Sequence, residues 1–284
     1  MKKPTLIIAS IFALLLISAC GNNKSQNAEE ASVPVETIDT TQLNDLALNQ
    51  FEMLVANVPG GFELMSEVKK EGLTYDKSLL HSAKSADKYT TNAQKCIMYG
   101  VFGTDFTYTS SYNISQDALE YYLANHKIAS SLGIDKVFDE MAQSAEIKQS
   151  GFTKENMVRA QGLMLTAMDK YLVTNKRVDA ATLIALGGWI ESQYLSLKLL
   201  NGQVRSKKTQ FFYDKLWEQK LHIHHFNNLL ENYKNNAEFN AVLKLYHAYA
   251  TVYKKVRAPE SLTPDMIKVL QQTIVEIRTK LITI

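Results

Sequence analysis

Two acids stand in tracts that are otherwise apolar or small. Asp105 lies in Tyr99-Gly100-Val101-Phe102-Gly103-Thr104-Asp105-Phe106, and Glu191 closes Leu186-Gly187-Gly188-Trp189-Ile190-Glu191. A carboxylate in such surroundings must be paired, hydrogen-bonded or partly exposed, because desolvation penalises the bare charge. Nearby tyrosines and Lys95 are the candidate partners. Two such acids brought together could serve as general acid and general base, so Asp105 and Glu191 are the candidate catalytic residues. A second constellation is Glu218, His222 and His225. Spacings of four and three put these side chains on one helical face, where nitrogen and oxygen donors could hold a metal. A closed site needs one more ligand, for which His247 is the candidate, and His224 points elsewhere. A solvated or interfacial histidine cluster is the simpler expectation, and no cofactor is expected.

The chain shows no phosphate-binding glycine loop, no G-x-S-x-G elbow, no H-E-x-x-H and no Cys-x-x-Cys. This removes the commonest enzyme readings. Its two cysteines are Cys20 and Cys96, and Cys96 lies in an apolar stretch that suits a small core residue better than a nucleophile.

Cys20 has a different context. Lys2 and Lys3 precede an apolar run from Leu6 to Ile17, broken only by Ser10. Twelve residues are too few to span roughly 30 Å of hydrocarbon, which needs about 20, but they fit the apolar region of a secretory signal peptide. The run ends in Ile17-Ser18-Ala19-Cys20, which resembles the bacterial lipobox, with Ile17 where that pattern usually has Leu. The resemblance implies that the Cys20 thiol takes a diacylglycerol, that cleavage frees its amine, and that a further acyl chain such as palmitate is added. Two or three chains hold a protein firmly, whereas one holds it marginally. The expected organisation is a signal peptide over 1–19, a lipidated cysteine with a polar tether over 20–39, and one helical domain over 40–284.

Processing would leave 265 residues, 284 less the 19 of the leader, with 29 basic side chains facing 29 acidic ones. That balance gives no case for a nucleic-acid partner or for electrostatic membrane binding. The expected membrane contact is lipid on Cys20, with a protein or small molecule as further partner. Gly21 stands where enterobacterial lipoproteins retained at the inner membrane carry Asp, and the acidic pair Glu29-Glu30 comes late. Gly21 favours the outer membrane over the inner, and the late acidic pair favours its periplasmic side, since surface-export signals place acids soon after the cysteine.

The elements that must position these residues are helices. There are five prolines and no sustained Val/Ile/Thr alternation between turn signals, so the fold class is all-α. Thr40 or Thr41 caps a helix carrying Leu43, Leu46, Leu48, Phe51, Leu54 and Val55 to about Asn57, followed by a turn at Val58-Pro59-Gly60-Gly61. Short helices are expected over 62–71 and 77–83. Asp87 caps a long helix to Tyr112, and others run from Ser115 to Gly133, 135–149, 153–175 and 178–200. Ser206 to Asn235, Ala237 to Val256, and a last helix from Thr263-Pro264 complete the set.

Short linkers make consecutive helices antiparallel neighbours, which predicts an irregular stack of helical hairpins. Gly103, Tyr108, Tyr112, Ala118, Leu119 and Tyr122 are similar to a tetratricopeptide pairing. No such pattern recurs at a period of about 34 residues, so a regular array is the alternative. Glycines cost roughly 1 kcal/mol each inside a helix, so Gly100/Gly103 and Gly187/Gly188 mark the place where their two helices cross closely.

From Val58-Pro59 through Tyr75-Asp76, Tyr99 to Asp105 and Gly187 to Glu191, the chain resembles a group of uncharacterised lipoproteins from Bacteroidetes. The resemblance extends over most of the chain after Cys20 and implies a compartment, with no activity to carry over. The functional expectation is therefore an envelope lipoprotein with a helical binding or scaffolding module. The alternative is a helical enzyme using Asp105/Glu191 or a metal on the Glu218/His222/His225 face.

Overall fold

A computed structural model describes residues 40–57, 69–70, 72–135 and 172–283, with side chains from Asp45 onward except at 56 and 57. The expected signal peptide, Cys20 and the tether lie outside the described residues. So do the turn at 58–61, all but Lys69-Lys70 of the helix expected at 62–71, the helix at 135–149 beyond its first residue, and most of that at 153–175.

The described residues are all-α, with helices packed on helices and no strand among them. The helices are α1 (Thr40–Asn57), α2 (Asn92–Ser111), α3 (Ser115–Leu132), α4 (Val178–Leu200), α5 (Gln210–Glu231), α6 (Ala237–Tyr253) and α7 (Pro264–Leu281). Consecutive helices pair as α2 with α3, α5 with α6 and α6 with α7, while the most extensive contact joins α2 to α4.

Helices α2 and α4 form the centre, and their composition requires it. Of the 20 residues of α2, 16 are buried, and 19 of the 23 in α4. A helix apolar on all sides must be covered on all sides. By contrast, α7 buries only Ile267, Leu270, Ile274, Ile277 and Leu281, the three-and-four spacing of a single apolar stripe.

The glycines set how closely the central pair approaches. A Cβ on Gly100 would sit 2.1 Å from the Ile184 carbonyl oxygen, and one on Gly187 would sit 2.1 Å from that of Ile97. Backbone therefore meets backbone at the crossing, and Thr104 Oγ1 donates to Gly188 O across it at 3.1 Å. Gly103 faces the other neighbour, since its Cβ would lie 3.6 Å from the Asn125 side-chain amide on α3. Buried Asn125 is satisfied there when its amide nitrogen donates to Tyr99 O and its oxygen accepts from Gly103 N, both at 3.0 Å.

Several expected boundaries move. The helix with Asp105 starts at Asn92, capped by Thr91 in a reciprocal box with Gln94, and Asp87 instead pairs with Lys127 from a 3-10 turn. The short helix expected over 77–83 is two 3-10 turns, Lys77–Leu79 and Ala83–Lys88, joined by extended residues. Helix α5 begins at Gln210, because Ser206 and Thr209 bond each other in a turn. Asn236 caps α6, accepting from Glu238 N and Phe239 N. Thr263 and Pro264 begin α7 as their types require. On α1 the core side is Ala47, Phe51 and Leu54, while Leu46 and Val55 are exposed. Leu119 likewise faces outward from α3.

Candidate functional site

The segment 73–91 is irregular, and tyrosine hydroxyls fasten it to α2 and α3. Tyr112 donates to Leu73 O at 2.7 Å, Tyr108 accepts from Asp76 N at 2.9 Å, and Tyr121 donates to His81 O at 2.7 Å. Tyr75 donates to Asp117 at 2.6 Å while Lys77 pairs with the other oxygen of that carboxylate. The Tyr75 ring lies 5.3 Å from that of Tyr108 and 5.7 Å from that of Tyr112. An irregular strap of this kind exposes backbone groups that must find partners, and these side chains supply them.

Beneath the strap, α2 and α4 bring Asp105 and Glu191 together, both 0% exposed. Arg278 of α7 holds Glu191 with two parallel bonds, Nε to Oε2 at 2.5 Å and Nη2 to Oε1 at 2.7 Å. This fork geometry is the strongest form of the carboxylate pair. The guanidinium also lies 4.0 Å from the centre of the Tyr194 ring and reaches Leu79 O of the strap. Burial works against the Arg278 charge, but Glu191 outweighs it and the pKa is raised.

Asp105 has no cation of its own. One oxygen accepts from His81 N at 3.2 Å, and the other has no partner as an acceptor. Burial and then the charge of Glu191 push its pKa well above the carboxylate range, against a smaller opposing pull from Arg278. Two buried acids facing one arginine cannot both ionise cheaply. Asp105 is therefore the neutral member, and as a carboxylic acid it can donate to Glu191.

His81 completes the surroundings. Its Nε2 lies 2.7 Å from Tyr89 OH and 2.9 Å from Ser85 Oγ. Burial, then the charge of Arg278 and that of Lys88, lower its pKa to about 4, which leaves a neutral imidazole at neutral pH.

The carboxylates are thus brought together, but by Arg278 and the strap rather than by Lys95. Chemically the cluster gathers two carboxyl groups and one guanidinium, all under packed side chains. It is suited to fastening α2, α4, α7 and the strap at one point. Nothing in the sequence singled out Arg278 or His81. Arg278 is one cation among several on an amphipathic helix, and the available signal was its place beside the buried Ile274/Ile277 stripe.

The histidine face is arranged differently. His222 is buried, with Nδ1 lacking a hydrogen-bond partner, and burial followed by the charge of His225 lowers its pKa to about 4. Glu218 turns to Lys215 at 2.8 Å, and among the described residues no three His, Cys, Asp or Glu are grouped to hold a metal ion. His224 and His247 instead line a cavity of about 550 Å³ between α5 and α6. His247 Nε2 is 2.9 Å from Asn227 Oδ1, and His224 Nε2 is 3.2 Å from Asn228 Nδ2.

Cys96 is buried in the core, where burial pushes its thiol pKa up to about 12. Among the described residues no helix is long and apolar enough to cross a membrane.

Compared with protein families, curated proteins and solved structures, the chain matches none.

Proposed function

We propose that this chain is a bacterial envelope lipoprotein, held to the outer membrane by lipid on Cys20, whose helical domain is a binding or scaffolding module. The observation that carries the reading is the order of residues at the N-terminus: Lys2-Lys3, the apolar run from Leu6 to Ile17, then Ser18-Ala19-Cys20. The balanced charge after Cys20 puts the attachment on lipid rather than on a basic surface. The module reading is supported by the cavity between α5 and α6, an opening of the size that takes a small organic molecule. It is supported as well by the full burial of Asp105 and Glu191, which suits an internal fastening.

Metabolic labelling with an alkynyl palmitate in a bacterial host, followed by membrane fractionation, tests the reading. The full chain is expected to take the label and sediment with outer membranes, and Cys20→Ala to do neither. A wild-type chain without label, or a label that survives Cys20→Ala, would overturn it.

A further inference from the structure

The cavity between α5 and α6 has a floor and a rim of different chemistry. Ile223, Ala250 and Tyr253 are its buried, largely apolar side chains. Lys220, Lys254, His224, His247 and Asn227 stand around them, with Thr251 exposed at the edge. Among the described residues no carboxylate lines the cavity, and Glu231, 3.6 Å from His247 Nε2, is not one of its walls. Lys220 is held in place, its Nζ donating to Val256 O at 2.6 Å and lying 4.9 Å from the centre of the Trp217 ring. An ammonium has three donors, so two remain for another acceptor. Neither Lys220 nor Lys254 is paired with a carboxylate among the described residues.

Two uncompensated cations around an apolar floor are complementary to one kind of molecule. We propose that this cavity binds a small organic anion, a carboxylate carried on a compact apolar body, with Lys220 and Lys254 holding the carboxylate and Ile223, Ala250 and Tyr253 covering the body. A volume of about 550 Å³ accommodates a body of aryl size with room to spare. The proposal rests on reading the domain as a binding module and names its ligand class, and it is independent of lipid on Cys20.

The test is titration of the full chain in a nonionic detergent with phenylacetate, its neutral isostere phenylacetamide, and inorganic phosphate, with detergent alone as blank. Phenylacetate is expected to bind at least about tenfold more tightly than phenylacetamide, the difference made by charge-assisted hydrogen bonds. Lys220→Gln with Lys254→Gln should remove that preference. Thr251→Trp, which fills the cavity from its exposed edge, should abolish binding with the melting temperature unchanged. Equal binding of acid and amide would overturn the proposal. So would phenylacetate binding that survives Thr251→Trp, or phosphate binding as tightly as phenylacetate, which would show surface charge attraction only. Palmitate labelling of the same preparation reads the lipoprotein assignment separately, so failure of one leaves the other measurable.

Discussion

Arg278 grips Glu191 with two hydrogen bonds at 2.5 and 2.7 Å across 87 positions of sequence, joining the last helix to the central one. The pair also reaches the irregular strap, through Arg278 Nη2 to Leu79 O and through Asp105 to His81 N. Truncating Arg278 would leave Glu191 buried and unpaired beside Asp105. Removing one partner of such a pair costs roughly 3–5 kcal/mol. Arg278→Ala is therefore expected to lower unfolding stability by about that amount in a denaturant titration, and Arg278→Lys to recover only part of it, because lysine lacks the fork.

The neutral state assigned to Asp105 has a pH signature. Its folded pKa is raised above the unfolded value, so above the ordinary aspartate range the folded chain holds a proton that the unfolded chain has released. Its contribution is fully favourable only below the unfolded pKa. It declines by about 1.4 kcal/mol per pH unit as pH rises through the window between the two values. Asp105→Asn keeps the shape and the donor to Glu191 without the titration. The variant should match or exceed wild-type stability at pH 7, and its advantage over wild type should grow as pH rises above 4, a difference in which the opposite contributions of His81 and His222 cancel.

The glycines make a paired prediction with opposite signs. Gly100→Ala places a methyl 2.1 Å from a backbone carbonyl that no side-chain rotation can move. The central helices must separate, and the variant should lose about 3 kcal/mol or more. Gly103→Ala meets only the Asn125 side-chain amide at 3.6 Å, an ordinary contact. It should gain up to about 1 kcal/mol from helix propensity. Thermal melts of the two variants side by side check both.

Cys96 should behave as a core methyl-sized group. With its thiol buried and its pKa pushed up to about 12, it should resist a disulfide reagent at pH 8 in the folded chain and react fully in denaturant. Rapid labelling of folded protein would contradict its place in the core.

These features differ in how far the sequence exposes them. The crossing of α2 and α4 is readable because a helical glycine is costly enough to need a reason, and two such tracts in one chain suggest each other. Asp105 and Glu191 are readable as a problem, since acids in apolar tracts need partners, but the solution is not. Arg278 comes from a helix 87 residues on, and only three-dimensional packing selects it from the other cations. The strap is the least readable part. It has no periodicity, and its position is fixed by hydroxyls of Tyr108, Tyr112 and Tyr121 that as sequence could equally be core rings. The start of α2 is ambiguous in sequence because Asp87 and Thr91 are both good caps, and the reciprocal box with Gln94 decides between them. His224 points away from His222 and His225, and that direction is what puts it with His247 at the cavity.

The lipoprotein assignment is tested most directly by the mass of the N-terminal peptide of the full chain recovered from bacterial envelopes. The expected peptide begins at Cys20 and carries diacylglycerol on its sulfur. A peptide that begins at Met1, or an unmodified Cys20, would contradict it.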